Sequence, residues 1–207
     1  IEGELARAAS RQGSDDEYTL HAVLDHLVRR VVTAPNLNVA QLVDELVAAE
    51  LALEKANTFP DPGCRDVIGQ YPAERTLFLS DFYMPASMLN ELLQHHGLDD
   101  VAPDGISSCD IRLNKRSGQL FKHVHEAFAL APEHHVHIGD NAHSDVSIPG
   151  AIGITSVHYL PDEQHADREL RESLFADRAV FFGHLEQIIA GKVEEALGSR
   201  SDNARAA

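Results

Sequence analysis

The cluster Pro60-Asp61-Pro62-Gly63 divides this chain into two regimes with different periodicities. Before it, apolar residues recur at three- and four-residue steps: Leu20, Val23, Leu24, Leu27 and Val31, then Val39, Leu42, Val43, Leu46 and Val47, continuing to Leu51 and Leu53. That is the period of a helix, and no stretch there has the period of a strand. Thr33-Ala34-Pro35-Asn36 joins the two runs with helix-stop and helix-start chemistry. Residues 1 to about 56 therefore read as almost wholly helical.

After the cluster the chain alternates. Short strands are expected at 76–80, 105–109, 135–138 and 154–158. Between them lie a helix from Pro85 to Gly97, with proline at its start and glycine at its end, a helix from about Ser117 to Ala129, and a short helix near Asp145. Repeated strand–helix units of this size predict an α/β fold with a parallel sheet covered by helices. Farther on, a charged helix is expected around 167–173 and another at 182–196, with a polar, disordered tail at 199–207.

Composition enters as a set of exclusions. A chain of 207 residues, 43% hydrophobic, can bury a core. Its formal net charge of −16 leaves no basic stripe for nucleic acid and disfavours an anionic membrane surface. Any phosphate must be met by local groups. Cys64 and Cys109 make neither a disulfide framework nor a paired-cysteine metal motif, which points to a reducing cytoplasm. The longest apolar runs, such as 76–79 and 179–182, are too short to cross a bilayer. The chain opens on Ile1 and continues as the inside of a helix, so a missing amino-terminal segment is expected.

The chemistry gathers at strand ends. In His137-Ile138-Gly139-Asp140-Asn141-Ala142-His143-Ser144-Asp145, two carboxylates lie five residues apart where an apolar strand enters a glycine-initiated loop. The carboxyl end of a strand is where open α/β sheets bind ligands. Hard carboxylate oxygens suit Mg²⁺, and Gly139 permits close backbone approach. Ser80-Asp81 follows the first strand, and Lys115 sits in Leu113-Asn114-Lys115-Arg116-Ser117-Gly118. A hydroxyl and an ammonium beside a carboxylate pair could hold a phosphoryl group and its metal. Asp81, Tyr83 and Asn141 are the adjacent candidates for substrate contact.

Taken in this order, the segments resemble the haloacid dehalogenase-like (HAD) hydrolase superfamily from about Thr76 to His158. Leu77-Phe78-Leu79-Ser80 is similar to that family's second motif, Lys115 to its third, and Gly139-Asp140 with Asp145 to its fourth. Ser80-Asp81-Phe82-Tyr83-Met84-Pro85 resembles one bacterial branch, whose members occur alone or joined to glycosyltransferases. The resemblance implies a HAD-like Rossmannoid, three-layer α/β/α core over residues 71–165, an all-helical cap over 1–70, and carboxyl-terminal helices over 166–198. It also implies a Mg²⁺-dependent phosphatase acting on a small phosphorylated metabolite through an aspartyl-phosphate. Ser80 and Lys115 would be catalytic, Asp140 and Asp145 metal-binding, and Ser80, Asp81, Tyr83 and Asn141 substrate-binding.

One motif has no match. The family's nucleophile lies on an apolar strand ending in Asp-x-Asp ahead of the helical cap, and this sequence has no such segment. Asp81-Phe82-Tyr83 is the nearest imitation and lacks the second acid. The family's first strand is central, between the strand ending at Ser80 and the one ending at Ile138, so it too is expected to be missing. The chain as written is expected to be inactive. A non-catalytic domain that binds a ligand, or serves a glycosyltransferase partner, is the alternative.

Other residues invite bland readings. Alternation sends His135 and His137 to one strand face and His134 to the other, which disfavours a zinc set. His95-His96 closes a helix, where histidine suits the carboxyl end of the dipole. Glu45, Glu50 and Glu54 read as a solvated helix face.

Overall fold

Side-chain caps set where two helices of the first region begin. Helix α1 spans Glu2–Arg11. Helix α2, Leu20–Val31, starts at Thr19, whose hydroxyl accepts from the Ala22 backbone N. Helix α3, Val39–Asn57, starts at Asn38, whose side chain accepts from Gln41 N. Each cap satisfies one of the amides that the first helical turn leaves without a partner. Helices α2 and α3 pack on each other, with Val28, Val43 and Leu51 buried. Helix α4, Cys64–Gly69, follows the proline-rich break.

This computed structural model describes residues 1–32 and 38–160, of which Ile1–Tyr159 form one unit. The 33–36 turn, the helices expected at 167–173 and 182–196, and the 199–207 tail lie outside the described residues.

The second region is mixed α/β. Strand β1 is Phe78–Ser80, α5 is Ala86–His95, and β2 is Gly105–Ser107. Helix α6, Ser108–Ile111, is followed by α7, Gln119–Ala127. Strand β3, Val136–Gly139, leads into a π-helical turn at Ala142–Ser147, then α8, Ile148–Ala151, and β4, Thr155–His158. Pro85 stands at the start of α5 in extended backbone, and Gly97 follows its end at φ +66, the left-handed region glycine enters without a Cβ clash.

Both strand pairings are parallel. Phe78, Leu79 and Ser80 pair with Gly105, Ile106 and Ser107, while β3 pairs with β4 from Val136 opposite Thr155 to Gly139 opposite His158. Among the described residues these remain two separate two-stranded sheets, and β1 does not pair with β3. The core of this region is the buried face of α7, Leu120, Phe121 and Val124, with Met84, Cys109 and Ile154.

Two sequence expectations need correction, and one strand face holds a surprise. The first region is not continuous helix, because the chain leaves α1 at Gln12 and re-enters helix only at Leu20. The acidic run within that gap turns outward from helix to meet the second region. The strand expected at 105–109 ends at Ser107, where Ser108 and Cys109 begin α6. Along β3, Val136 is 42% exposed while His137 is buried, so the histidine rather than the valine faces inward. A hydrogen bond explains the inversion, since His137 meets a buried carboxylate there.

Candidate functional site

Strand β3 delivers the chain to the centre of the site. After Gly139 the backbone turns at Asp140 and Asn141, and the Asn141 side-chain oxygen accepts from His143 N at 2.9 Å and Ser144 N at 3.0 Å, opening the π-helical turn. That turn brings Asp145 back over Gly139. A Cβ at position 139 would lie 2.5 Å from Asp145 Cγ, so only glycine fits beneath the carboxylate.

Asp145 is 3% exposed and both its oxygens are engaged. Oδ1 accepts from Lys115 Nζ at 2.6 Å and from His137 Nε2 at 3.0 Å, and Oδ2 accepts from Asn141 N at 3.0 Å. A carboxylate only accepts, so Nε2 of His137 carries the proton. Burial pushes the Asp145 pKa upward. The hydrogen bonds from His137 and Lys115, with the lysine's charge, outweigh it and hold the group well below the usual carboxylate range. The charged form is the one this pocket selects.

Lys115 is 12% exposed and reaches Asp145 from a turn anchored at its base. Its backbone N donates to Asp81 Oδ1 at 2.8 Å. Asp81 follows β1, and Asp145 follows β3, so Lys115 ties together the carboxyl ends of two strands that do not pair. Asp81 Oδ2 is buried and has no hydrogen-bond partner among the described residues.

The remaining candidates sit around this junction. Ser80 ends β1, half-buried and in register with Ser107. Tyr83 OH donates to Glu50 Oε1 of α3 at 2.9 Å; burial and the Glu50 hydrogen bond raise its pKa. Glu50 is therefore not part of a purely solvated face, because it receives a phenol. Asp140 lies at the exit of β3, and its carbonyl accepts from His158 Nε2 at 2.9 Å. Asn141 spends its side-chain oxygen on the turn, leaving its amide nitrogen as the group available to a ligand.

Hard oxygen is the donor chemistry here, which suits Mg²⁺. Among the described residues no group of three His, Cys, Asp or Glu converges as a cation cage. Mg²⁺ keeps several waters and takes one or two carboxylates, so Asp140 as a partial donor set is compatible with it. With both oxygens held, Asp145 serves to hold Lys115 and Asn141.

Sequence reasoning missed Asn114, Asp15, Asp16, Glu17 and the role of His137. Asn114 is buried and its amide donates to Asp16 Oδ1 and Glu17 Oε1. The sequence signal was present: Gly13-Ser14-Asp15-Asp16 is turn chemistry, and Thr19 is a helix-start residue.

The structure is similar to two solved structures. One is a haloacid dehalogenase-like family hydrolase from Xanthomonas campestris, at 20% identity and a TM-score of 0.38, covering 71% of this chain and 66% of that one. The other is a hydrolase from Streptococcus pneumoniae TIGR4, at 18% identity and a TM-score of 0.39, covering 84% of this chain and 90% of that one. This chain thus spans slightly less than two thirds of the Xanthomonas protein's length. No family model matches the chain, and no curated protein matches it.

Proposed function

We propose that this chain carries the phosphate- and metal-handling side of a HAD-like, Mg²⁺-dependent phosphatase for a small phosphorylated metabolite. One observation carries the reading: Lys115 Nζ lies 2.6 Å from the buried Asp145 carboxylate, with its backbone on Asp81. The ends of β1 and β3 and the Lys115 turn meet in three dimensions although they are separated in sequence. A lysine so held is a fixed positive charge at a strand-end junction, suited to meeting phosphoryl oxygens. Ser80 would donate its hydroxyl to the same group. Asp140 would hold Mg²⁺, which when bound would neutralise phosphoryl charge. Asp81, Tyr83 and Asn141 would line the approach.

The nucleophile is the part this set does not supply. Asp145 is committed to Lys115, and Asp81 is tied by one oxygen to a backbone amide. The reading therefore places the nucleophilic aspartate on a further strand between β1 and β3, which do not pair with each other among the described residues.

The test is an aryl phosphate assay with Mg²⁺. The 207-residue chain should show no turnover, and an amino-terminal extension carrying an apolar strand and Asp-x-Asp should restore it. Turnover by the unextended chain that Asp81→Asn abolishes would make Asp81 the nucleophile and sink the assignment. An extended chain that stays inactive yet binds Mg²⁺ and inorganic phosphate would favour the accessory reading, a ligand-binding domain in the cytoplasm serving a glycosyltransferase. None of the described helices is long and apolar enough to cross a membrane.

A further inference from the structure

The segment between α1 and α2 lies against the Lys115 turn, 99 residues downstream at its central contact. Asp15 Oδ2 accepts from Asn114 N at 2.7 Å and from Ser117 Oγ at 2.6 Å, and its Oδ1 accepts from Gln119 Nε2 at 3.0 Å. Its own backbone N donates to the Arg112 carbonyl at 3.0 Å. Asp16 Oδ1 pairs with Arg116 at 3.0 Å, and Glu17 accepts from Asn114 Nδ2 at 3.0 Å and Ser108 Oγ at 2.7 Å. The residues on both sides of Lys115 are thus fixed by the acidic segment, while Lys115 N is fixed by Asp81.

We infer that Asp15 is a positioning residue for Lys115: its carboxylate fixes the backbone of the 114–117 turn so that the ammonium reaches Asp145. A lysine charge sits on a flexible four-carbon stem, so where its base is held decides where its charge rests. Asp16 and Glu17 hold Asn114 and Arg116 from the same side. The catalytic weight of the inference rests on the phosphate seat proposed above, whereas the placement of Lys115 does not.

The experiment is limited acetylation of the full chain, read residue by residue by mass spectrometry, with Lys55 and Lys122 as internal standards. Asp15→Ala should raise Lys115 acetylation by about tenfold, the scale of one lost hydrogen bond to a charged group, with the other two lysines unchanged. Asp15→Asn should rescue it to near the native rate. Its oxygen can still accept from Asn114 N and Ser117 Oγ, and its amide can donate to Gln119 once that side chain turns over. If Asp15→Ala does not fold, the milder pair Ser117→Ala with Gln119→Ala removes two of the three partners of the Asp15 carboxylate, and Lys115 acetylation should rise severalfold. An unchanged Lys115 in a folded variant overturns the inference. So does a parallel rise at all three lysines, which would mean general loosening. Inorganic phosphate with Mg²⁺ should protect native Lys115; if it does not, while Asp15→Ala still exposes Lys115, the seat is withdrawn and the positioning role stands.

Discussion

Two strand ends in this protein carry an aspartate, and they treat it in opposite ways. After β3, Asp145 is buried with a lysine, a histidine and a backbone amide on its two oxygens. After β1, Asp81 has one oxygen on a backbone amide and the other buried with no partner among the described residues. The first carboxylate is a structural anion, fully answered by its surroundings. The second is half-answered, and a buried unanswered oxygen is costly unless something later meets it. Burial alone does not separate the two roles; the count of partners does.

Replacing each aspartate by asparagine tests that contrast most directly. Asp145→Asn keeps the shape but leaves the Lys115 charge buried beside an amide, and should cost about 3–5 kcal/mol in urea unfolding. The same variant should lose part of the acid limb. A carboxyl depressed in the folded state contributes stability that is present above its unfolded value of 3.8 and is lost as pH falls below it. A loss under about 1 kcal/mol would show that Lys115 and His137 do not depend on this anion.

His135 gives an intermediate effect in a different pH window. Burial, with His137 and His125 beside it, lowers its pKa from 6.5 to about 4, and His125 Nε2 lies 3.0 Å from His135 Nδ1. The unfolded chain binds the proton more readily between those values. Stability should therefore be complete above about pH 6.5, fall as pH drops towards 4, and level off below. Because the ring is only half-buried, solvent screening reduces the total to about 1–2 kcal/mol. Thermal melts of His135→Phe across this range should be flatter than those of the native chain; parallel curves would remove the assignment. At the small end, Asp81→Asn retains the acceptor for Lys115 N and replaces the orphaned oxygen with an amide. It should change unfolding free energy by less than about 1 kcal/mol, and a loss as large as that of Asp145→Asn would erase the contrast.

How much of this was legible follows from the range of each interaction. The strand end at Ser80, the end of the third strand to within one residue of Gly139, the proline and glycine bounding α5, and the four strands in order were readable because local periodicity and turn chemistry fix them. The spatial meeting of Lys115 with Asp145 was suggested by the order of motifs. Two readings failed for one reason, which is that their partners are distant in sequence. Asp15 to Glu17 were read as helix although they serve a turn about a hundred residues away. Glu50 was read as solvated although it receives Tyr83.

The π-helical turn at Ala142–Ser147 has a consequence for how this loop tolerates change in length. A π turn carries one more residue per hydrogen-bonded loop than an α turn, and such turns can be viewed as single-residue insertions into an ordinary helix. Removing one residue between Asn141 and Asp145 would break the hydrogen bond from Asp145 N to the Asn141 carbonyl and move Asp145 one place along the turn. Asp145 would leave its seat over Gly139, and Val146 would stand at its place in the count from Asn141. Point substitutions here alter one contact, whereas a single-codon deletion would remove the anion from both Lys115 and His137 at once. Natural variation in this loop should therefore be rich in replacements at exposed Ala142 and His143 and poor in changes of length.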